Sequence, residues 1–415
     1  MTRFRSEFLQ ALEARGFVHQ ITDPDGLDRL AAAGPITAYV GFDCTADSLH
    51  IGNLVSIMLL RHLQEAGHHP IALVGGGTSK VGDPSFRDEM RQLLDAAALA
   101  RNKAGIERSL AAFLDFSGGR TRMVDNAEWL DRLEYLPFLR EVGRHFTINR
   151  MLTFDSVRLR LEREQPLTFL EFNYMIMQAY DFAELARRYG CRLQMGGSDQ
   201  WGNIVNGIEL NRRLGGAELY GLTTPLITKS SGEKMGKSAH GAVWLNADKL
   251  EPFEYWQFWR NTEDADVGRF LRLFTLLPLA EIARLEALGG AEINEAKKVL
   301  ATEATRLAHG DAAAEEARRA AAAVFEQAGE ERGLPEVAVE GAALASGLAV
   351  VDALVHAGLA KTKGEARRLI RGGGARLNDA RIDDEVARVG DEALRPDGTL
   401  KLSAGKKRHV LLRAG

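Results

Sequence analysis

The fold of the first half of the chain is decided by the stretch Tyr39-Val-Gly-Phe-Asp43-Cys-Thr45-Ala-Asp-Ser-Leu-His50-Ile-Gly52-Asn53. It begins inside Ile36–Phe42, an apolar, β-branched run that predicts a buried strand. After a polar loop, His50–Ala66 has the apolar spacing of a helix and stops at Gly67, a common helix-ending residue. A second apolar run, Ile71–Val74, predicts the next strand. Strand, helix and strand in this order predict a βαβ unit in a parallel sheet.

The composition limits the class of protein. A chain of 415 residues with 45% hydrophobic and 27% charged residues is typical of a soluble protein of two or three domains. No apolar run approaches the roughly 20 residues that span a bilayer, so we expect no membrane association. Glu7 and Glu13 argue against a transit peptide. Cys44 and Cys191 are too few for a disulfide framework or a zinc site, which favours a reducing cytoplasm.

The pattern changes twice along the chain. Strand signals stop near Asp248, and the Gly- and Pro-containing stretch Glu330–Ser346 has no amphipathic period. From Ser346 to Gly415 the sequence has 14 Lys and Arg against 9 Asp and Glu, although the whole chain has a net charge of −4. We therefore predict an α/β domain with a doubly wound parallel sheet, a helical domain and a small basic α+β domain. The predicted ranges are 1–247 for the α/β domain, 248–329 for the helical domain, 330–346 for a linker and 347–415 for the last domain.

Two motifs have the residue types of a nucleotide site. His50-Ile-Gly-Asn53 opens the predicted helix, where free N–H groups and the helix dipole favour phosphate, and His50 and Thr45 can donate hydrogen bonds. Lys234-Met-Gly-Lys237-Ser238 is a polar loop whose lysines can neutralise charge that develops on pyrophosphate. Ordinary helix capping and a solvated basic loop are the simpler readings of each motif alone. Their occurrence together in this order favours a nucleotide site.

Two further motifs suggest a second, polar ligand. The predicted helix Thr168–Gly190 has Tyr174, Gln178 and Asp181 on one face among apolar residues, which indicates either a polar ligand or an internal hydrogen-bond network. Gly197-Ser-Asp199-Gln200 follows the predicted strand Cys191–Met195, at the edge where open α/β sheets bind ligands, although such residues also form ordinary turns.

Together these motifs resemble class I aminoacyl-tRNA synthetases, and their details resemble the bacterial tyrosine enzymes over nearly the whole chain. The resemblance implies a tyrosine site in which Tyr174, Gln178 and Asp83 hold the α-ammonium group. Asp181 and Tyr39 would bond the phenolic hydroxyl. The implied tyrosine-binding set is Tyr39, Asp83, Tyr174, Gln178, Asp181 and Gln194. The implied ATP-binding set is Gly41, Asp43, Gly52, Gly197, Asp199, Gln200 and Lys237. The implied catalytic set is Thr45, His50, Asn53, Lys234, Lys237 and Ser238.

The chain departs from the family pattern at two places. Asn53 stands where the first signature usually has a second His, so a titrating imidazole is not expected there. Lys80 is unexpected in its glycine-rich stretch. Arg87 and Arg91 are read either as cations that contact ATP or as a solvated helix start.

The basic C-terminal segment resembles a small RNA-binding domain shared with a small-subunit ribosomal protein. A helix with Lys363, Arg367, Arg368 and Arg371 can follow a phosphate backbone, and a basic solvated surface is the alternative. The resemblance implies tRNA(Tyr) as the partner.

The implied reaction joins L-tyrosine to tRNA(Tyr) through tyrosyl-adenylate. ATP is a substrate that brings Mg²⁺ with it, and no metal-ligand cluster is visible in the sequence. The family also implies a homodimer, with Phe169 and the preceding helices at the interface. Two alternatives are a tryptophan enzyme, against which Asp181 and Tyr39 argue, and an RNA-binding protein with an inactive synthetase body.

Overall fold

The structure is a computed structural model that describes residues 3–84, 94–228, 230, 232, 235, 237–238, 241–331, 334–395, 398–405 and 408–414. Its contacts divide the chain into two compact units, Met1–Ala321 and Ala322–Gly415.

The first unit contains a six-stranded sheet within the described residues, in the order β1-β6-β5-β2-β3-β4. All neighbouring strands are parallel except β1, which runs antiparallel to β6. This arrangement confirms the predicted doubly wound parallel sheet. The strands are β1 Gln20–Ile21, β2 Thr37–Asp43, β3 His69–Gly75, β4 Arg122–Asp125, β5 Cys191–Gly197 and β6 Tyr220–Thr224. A separate short hairpin consists of β7 Lys237–Ser238 and β8 Gly241–Ala242.

Helices surround this sheet and continue beyond it. Up to residue 113 they are α1 Glu7–Arg15, α2 Pro24–Ala33, α3 Ile51–Glu65 and α4 Ala96–Phe113. The next group is α5 Ala127–Leu130, α6 Tyr135–Glu141, α7 Ile148–Met151, α8 Asp155–Glu162, α9 Phe169–Phe172, α10 Tyr174–Tyr189 and α11 Trp201–Arg213. The last group is α12 Pro252–Arg260, α13 Asp264–Phe274, α14 Leu279–Glu286 and α15 Ile293–Glu331, interrupted at Gly310. Single 3₁₀ turns lie at Thr78–Lys80, Gly143–His145, Ser198–Gln200 and Gly290–Glu292.

One hydrophobic core runs through the first unit from Phe4 to Ala321. It contains strand residues such as Val40 together with residues of α12 and α13 such as Trp259 and Phe274. The predicted boundary at 247/248 therefore lies inside a unit with a continuous core.

The predicted helix Thr168–Gly190 is divided in two. Thr168 caps α9, because its hydroxyl accepts a hydrogen bond from Glu171 N and its own backbone N–H donates to the Glu171 carboxylate at 3.1 Å. The chain turns at Asn173 before α10, which ends at Gly190 in the left-handed conformation (φ 64°). The three polar residues of the predicted stripe all lie on α10.

The second unit is built around another sheet, in the order β12-β11-β14-β15-β9 within the described residues. Its elements are β9 Glu336–Val339, α16 Gly341–Ala345, β10 Leu348–Ala349, α17 Val350–His356, α18 Lys363–Arg371, β11 Ala375–Leu377, β12 Ala380–Arg381, β13 Arg388–Val389, the 3₁₀ turn Asp391–Ala393, β14 Thr399–Ala404 and β15 Arg408–Ala414.

The range 330–346, predicted as a linker, contains regular structure. Strand β9 pairs in parallel with β15, and Val339 and Leu344 are buried in the core of the second unit. Only two alternating valines signal this strand, between Pro335 and Gly341, so the sequence pattern is too short to reveal it. No helix in the described part of the chain is long and apolar enough to cross a membrane.

Candidate active site

A cavity of about 420 Å³ lies at the carboxyl edge of the first sheet, beside the ends of β2, β3, β5 and β6. Its lining includes every described side chain of the predicted tyrosine set and the predicted ATP and catalytic residues of the first half of the chain. The predicted residues in the lining are Tyr39, Gly41, Asp43, Thr45, His50, Gly52, Asn53, Asp83, Tyr174, Gln178, Asp181, Gln194, Gly197, Asp199 and Gln200. Lys234 lies outside the described residues, and for Lys237 and Ser238 only the backbone, in β7, is described.

Two polar atoms in the cavity wall are buried without partners. Tyr39 and Gln194 are 1% and 2% exposed. Within the described residues, neither the Tyr39 hydroxyl nor Gln194 Oε1 has a hydrogen-bond partner. A buried polar group without a partner is costly, so these atoms indicate a polar ligand.

Asp181 faces the same part of the cavity and is held through both carboxylate oxygens. Asn126 Nδ2 donates to Oδ2 at 2.9 Å, and Trp129 Nε1 donates to Oδ1 at 2.7 Å. Burial raises the pKa of Asp181 to about 7, although both of these hydrogen bonds act to lower it. Burial, and next the charge of Asp181, raise the pKa of Tyr39 well above its usual value, so its hydroxyl stays protonated.

Asn126 was not predicted from the sequence, yet its side chain connects Asp181 to the turn at Gly77 and Thr78. Its Oδ1 accepts from Gly77 N at 2.8 Å, and its Nδ2 also lies 3.0 Å from Thr78 Oγ1. Thr78 in turn donates to Asp43 Oδ1 at 2.9 Å. A polar chain thus runs from Asp181 to Asp43 along the cavity wall.

The other two residues of the α10 stripe bond to residues of the nucleotide side. The Tyr174 hydroxyl donates to Asp43 Oδ2 at 3.0 Å. Gln178 Nε2 donates to Gln200 Oε1 at 3.3 Å, and Gln200 Nε2 donates to Asp83 Oδ2 at 3.0 Å. Of the two readings of this stripe, a ligand site or an internal network, the structure contains the network. The members that line the cavity include Asp43, Asp83, Tyr174, Gln178, Asp181 and Gln200.

The helix that opens at His50 has its first turn capped by the signature itself. His50 Nδ1 accepts from Gly52 N at 3.0 Å, and Asn53 Oδ1 accepts from His50 N at 3.2 Å. Because Nδ1 is an acceptor, a neutral His50 ring carries its proton on Nε2. The Asn53 side-chain oxygen therefore caps the helix, and its amide N–H groups can still donate hydrogen bonds to a ligand.

The two signature motifs meet at Gly52. A Cβ atom at Gly52 would lie 2.7 Å from His50 Cε1 and 3.3 Å from the backbone oxygen of Met235, which belongs to the Lys-Met-Gly-Lys-Ser motif. Met235 is buried, and its N–H bonds to Ile227 O at 3.1 Å. Only glycine allows this close approach without displacing a neighbour.

The remaining predictions concern Lys80, the pair Arg87 and Arg91, and metal ligands. Lys80 Nζ lies 2.6 Å from Asp131 Oδ1 in a half-exposed ion pair. Arg87 and Arg91 lie outside the described residues. Among the described residues, no group of three or more His, Cys, Asp or Glu side chains is arranged to hold a metal ion.

The predicted RNA-binding side chains project from α18, which is capped by Thr362. Lys363 Nζ lies 2.6 Å from Asp352 Oδ1, while Arg367 and Arg371 both contact Glu385. These ion pairs are exposed, so they hold the side chains weakly. Arg368 is exposed on the same helix.

The family described as "tRNA synthetases class I (W and Y)" matches residues 31–326. The chain belongs to this family. The match extends over most of the first unit and includes every part of the cavity.

Individual relatives match over the full length. The chain is 62% identical to the tyrosine–tRNA ligase of Rhodospirillum rubrum over 415 residues, which is 100% of this chain and 99% of that protein. It is 62% identical over 410 residues to the tyrosine–tRNA ligase of Xanthobacter autotrophicus, with 99% and 98% covered. Among solved structures, a C-terminally truncated mitochondrial tyrosyl-tRNA synthetase of Coccidioides posadasii has 31% identity and a TM-score of 0.66, over 76% of this chain and 92% of that one.

Proposed function

We propose that this protein is a tyrosine–tRNA ligase, which activates L-tyrosine with ATP and transfers the tyrosyl group to tRNA(Tyr). The observation that carries the proposal is the buried trio Tyr39, Asp181 and Gln194 in a cavity that also contains the His50-Ile-Gly-Asn53 motif. A phenolic hydroxyl can donate to Asp181 and accept from Tyr39, which would satisfy the lone Tyr39 donor. Phenylalanine would leave the Tyr39 hydroxyl without a partner and would offer no donor to Asp181. Sites built to pair a substrate hydroxyl discriminate by about 10⁴–10⁵.

The α-ammonium end of tyrosine is assigned to the network between α10 and the carboxyl edge. Tyr174, Gln178 and Asp83 supply one hydroxyl, one amide and one carboxylate there. Gln200 connects Gln178 to Asp83, and Tyr174 is held by its bond to Asp43. A fixed polar network of this kind orients the substrate, so the tyrosine carboxylate is presented to ATP.

ATP is assigned to the edge formed by Gly41, Asp43, Gly52, Gly197, Asp199 and Gln200. The tyrosine carboxylate attacks the α-phosphorus, the bond to the bridging oxygen breaks, and pyrophosphate leaves. Thr45, the His50 Nε2–H and the Asn53 amide would donate to phosphate oxygens at the start of α3, while Lys234, Lys237 and Ser238 would stabilise the leaving pyrophosphate. Mg²⁺ arrives as part of the nucleotide substrate.

In the second step, a ribose hydroxyl at the end of tRNA attacks the adenylate carbonyl and AMP leaves. We assign tRNA binding in part to Lys363, Arg367, Arg368 and Arg371. The ion pairs of Lys363, Arg367 and Arg371 lie at the surface and can exchange for phosphate contacts, and Arg368 is exposed. In this proposal residues 1–247 form the catalytic domain, 248–329 a helical domain on the anticodon side, and 347–415 an RNA-binding domain.

A homodimer is also proposed, with an interface in the 135–170 region. Seven of the eleven large apolar side chains that are exposed among the described residues belong to this stretch. They are Tyr135, Leu136, Ile148, Leu152, Leu161, Phe169 and Leu170, and Phe169 is 69% exposed. An apolar concentration of this kind is typical of a protein interface.

A cytoplasmic location fits the proposed substrates. Cys44 and Cys191 are both buried free thiols, and burial raises the pKa of each to about 12, so neither is a reactive thiolate.

The test of the proposed function is amino-acid-dependent exchange of labelled pyrophosphate into ATP, followed by charging of tRNA(Tyr). Exchange that depends on tyrosine supports the proposal. Exchange that depends on tryptophan would show that the protein is a tryptophan enzyme of the same family. Absence of exchange with any amino acid would indicate an inactive synthetase body.

A further inference from the structure

The segment that leaves the Lys-Met-Gly-Lys-Ser loop returns to the start of α3. Ile51 N donates to Val243 O at 2.9 Å, and Leu245 N donates to Leu49 O at 2.8 Å. Between these bonds, the rings of His50 and Trp244 are 6.0 Å apart, edge to face. The two signatures are thus joined by backbone pairing on the C-terminal side of the loop.

Asn246 is the next residue along this segment, and it anchors the pairing to a third element. Its side chain is buried, and the residue is 8% exposed. Asn246 Nδ2 donates to Gly105 O on α4 at 2.9 Å and lies 3.4 Å from Asp47 O. Ser109 Oγ donates to Asn246 Oδ1 at 2.7 Å. All polar atoms of this amide are therefore occupied by protein groups.

Further hydrogen bonds of Asn246 and Ser109 fix the loop that carries Thr45. Asn246 N donates to Ser48 Oγ at 3.2 Å, and Leu49 N donates to Ser109 Oγ at 3.1 Å. The loop also packs against α4 so closely that a Cβ at Gly105 would lie 1.9 Å from Asp47 O. Asn246 thus bridges three parts: the loop 45–49, helix α4 and the exit of the lysine loop.

We infer that Asn246 is a positioning residue for adenylate formation, an inference that rests on the proposed function. It does not line the cavity. Its effect passes through the backbone of 243–245, which lies between it and β8, and through 47–50, which leads into α3. Because Asn246 fixes segments 47–50 and 243–245 to each other, it sets the distance between the phosphate-binding start of α3 and the loop of Lys237.

The chain offers a matched control in Asn211. Asn211 is 5% exposed, and its Nδ2 donates to Ala217 O at 2.6 Å, at the opposite end of the sheet from the cavity. Replacing either asparagine by alanine removes a buried amide that is bonded to a backbone carbonyl. Asn246 makes more hydrogen bonds than Asn211, so Asn246→Ala is expected to lose more thermal stability, and the activities are compared at a temperature at which both variants are folded.

The first experiment compares Asn246→Ala and Asn211→Ala in the full-length protein. For Asn246→Ala we expect kcat of tyrosine-dependent pyrophosphate exchange to fall on the order of 10- to 100-fold, since small misplacements of reacting groups have effects of this size. The KM for tyrosine should stay within about twofold of the wild-type value, because the tyrosine pocket is not touched. Asn211→Ala should retain the wild-type kcat. Equal rates for both variants would overturn the inference.

The second experiment distinguishes positioning from a general loss of structure. If Asn246 acts through the lysine loop, Asn246→Ala should have much less effect in a Lys237→Ala background than in the wild type. Fully additive losses would overturn the inference. Should Asn246→Ala fail to fold, Ser109→Ala removes one of its hydrogen bonds and should show the same reduction in kcat on a smaller scale; an unchanged kcat for that variant would count against the inference.

The two proposals fail differently. A wild-type protein without tyrosine-dependent exchange would overturn the proposed function, and with it this inference. A wild-type protein that exchanges normally, beside an Asn246→Ala variant that is folded and equally active, would overturn the inference alone.

Discussion

Trp129 donates its indole N–H to the buried carboxylate of Asp181 at 2.7 Å, from the short helix α5, which lies 52 residues earlier in the sequence. With Asn126 on the other oxygen, this bond fixes the plane of the carboxylate inside the cavity. A fixed, buried carboxylate beside a buried hydroxyl is suited to selecting a ligand by one hydroxyl group.

Asp181→Ala should therefore reduce kcat/KM for tyrosine much more than for phenylalanine. We expect the preference for tyrosine to fall by at least about 10²-fold, because the paired hydroxyl loses its acceptor. Pyrophosphate exchange with each amino acid measures this. Glu184→Ala is the control, since Glu184 lies one turn along α10 and pairs with Arg187 and Arg188. An equal loss for both amino acids in Asp181→Ala would mean that Asp181 has only a structural role.

His62 should make the protein less stable in acid. Burial lowers its pKa from 6.5 to about 3, so between these values the folded protein binds fewer protons than the unfolded chain. The stability that depends on neutral His62 is complete above about pH 6.5 and is lost as the pH falls towards 3. The free energy of unfolding should fall when the pH is lowered from 7 to 5. This fall should be about 2 kcal/mol smaller for His62→Leu than for the wild type. Denaturant unfolding at several pH values measures the difference, with the exposed His19→Gln as control; parallel curves for His62→Leu and the wild type would contradict it.

Phe169→Asp should convert the proposed dimer into monomers. A charge at the most exposed large apolar side chain of the 135–170 region opposes its burial against a second copy. Light scattering after size-exclusion chromatography gives the mass. Leu279→Asp is a control, because Leu279 is 42% exposed but lies on α14. A wild-type protein that is already monomeric at micromolar concentration would refute the dimer.

A chain that ends near Gly329 should keep tyrosine-dependent exchange but charge tRNA poorly. The reason is that the cavity and its core lie within Met1–Ala321, whereas the basic helix α18 lies in the second unit. Binding of tRNA to the full-length protein should also weaken with salt, as phosphate contacts release counterions. Charging by the shortened chain at the full-length rate would contradict the role given to the C-terminal residues.

Much of the site was predictable because its chemistry lies in local motifs. Strand β2, the start of α3 and the end of β5 each carry their ligand-binding residues within a few positions of a turn. The parallel sheet then brings these turns together at one edge. The polar residues of α10 could be placed on one face from their spacing alone.

Other features depend on contacts that no local pattern records. Asn126 and Trp129 follow β4, a four-residue strand that sequence reasoning did not detect. Asp199 was located by a rule that looks for polar residues after a strand at the carboxyl edge of the sheet. The same rule would have found Asn126 if strand β4 had been recognised. The division of the α10 region at Asn173 and the strand inside 330–346 were also missed, because capping and long-range pairing determine both.

The central claim is tested most directly by tyrosine-dependent exchange of pyrophosphate into ATP, measured in parallel with tryptophan and phenylalanine and with a Lys237→Ala variant. We expect rapid exchange with tyrosine and very slow exchange with the other two amino acids. We also expect Lys237→Ala to lose on the order of 2–4 kcal/mol of transition-state stabilisation with little change in ATP affinity. Exchange that prefers tryptophan, or a Lys237→Ala variant as fast as the wild type, would contradict the account.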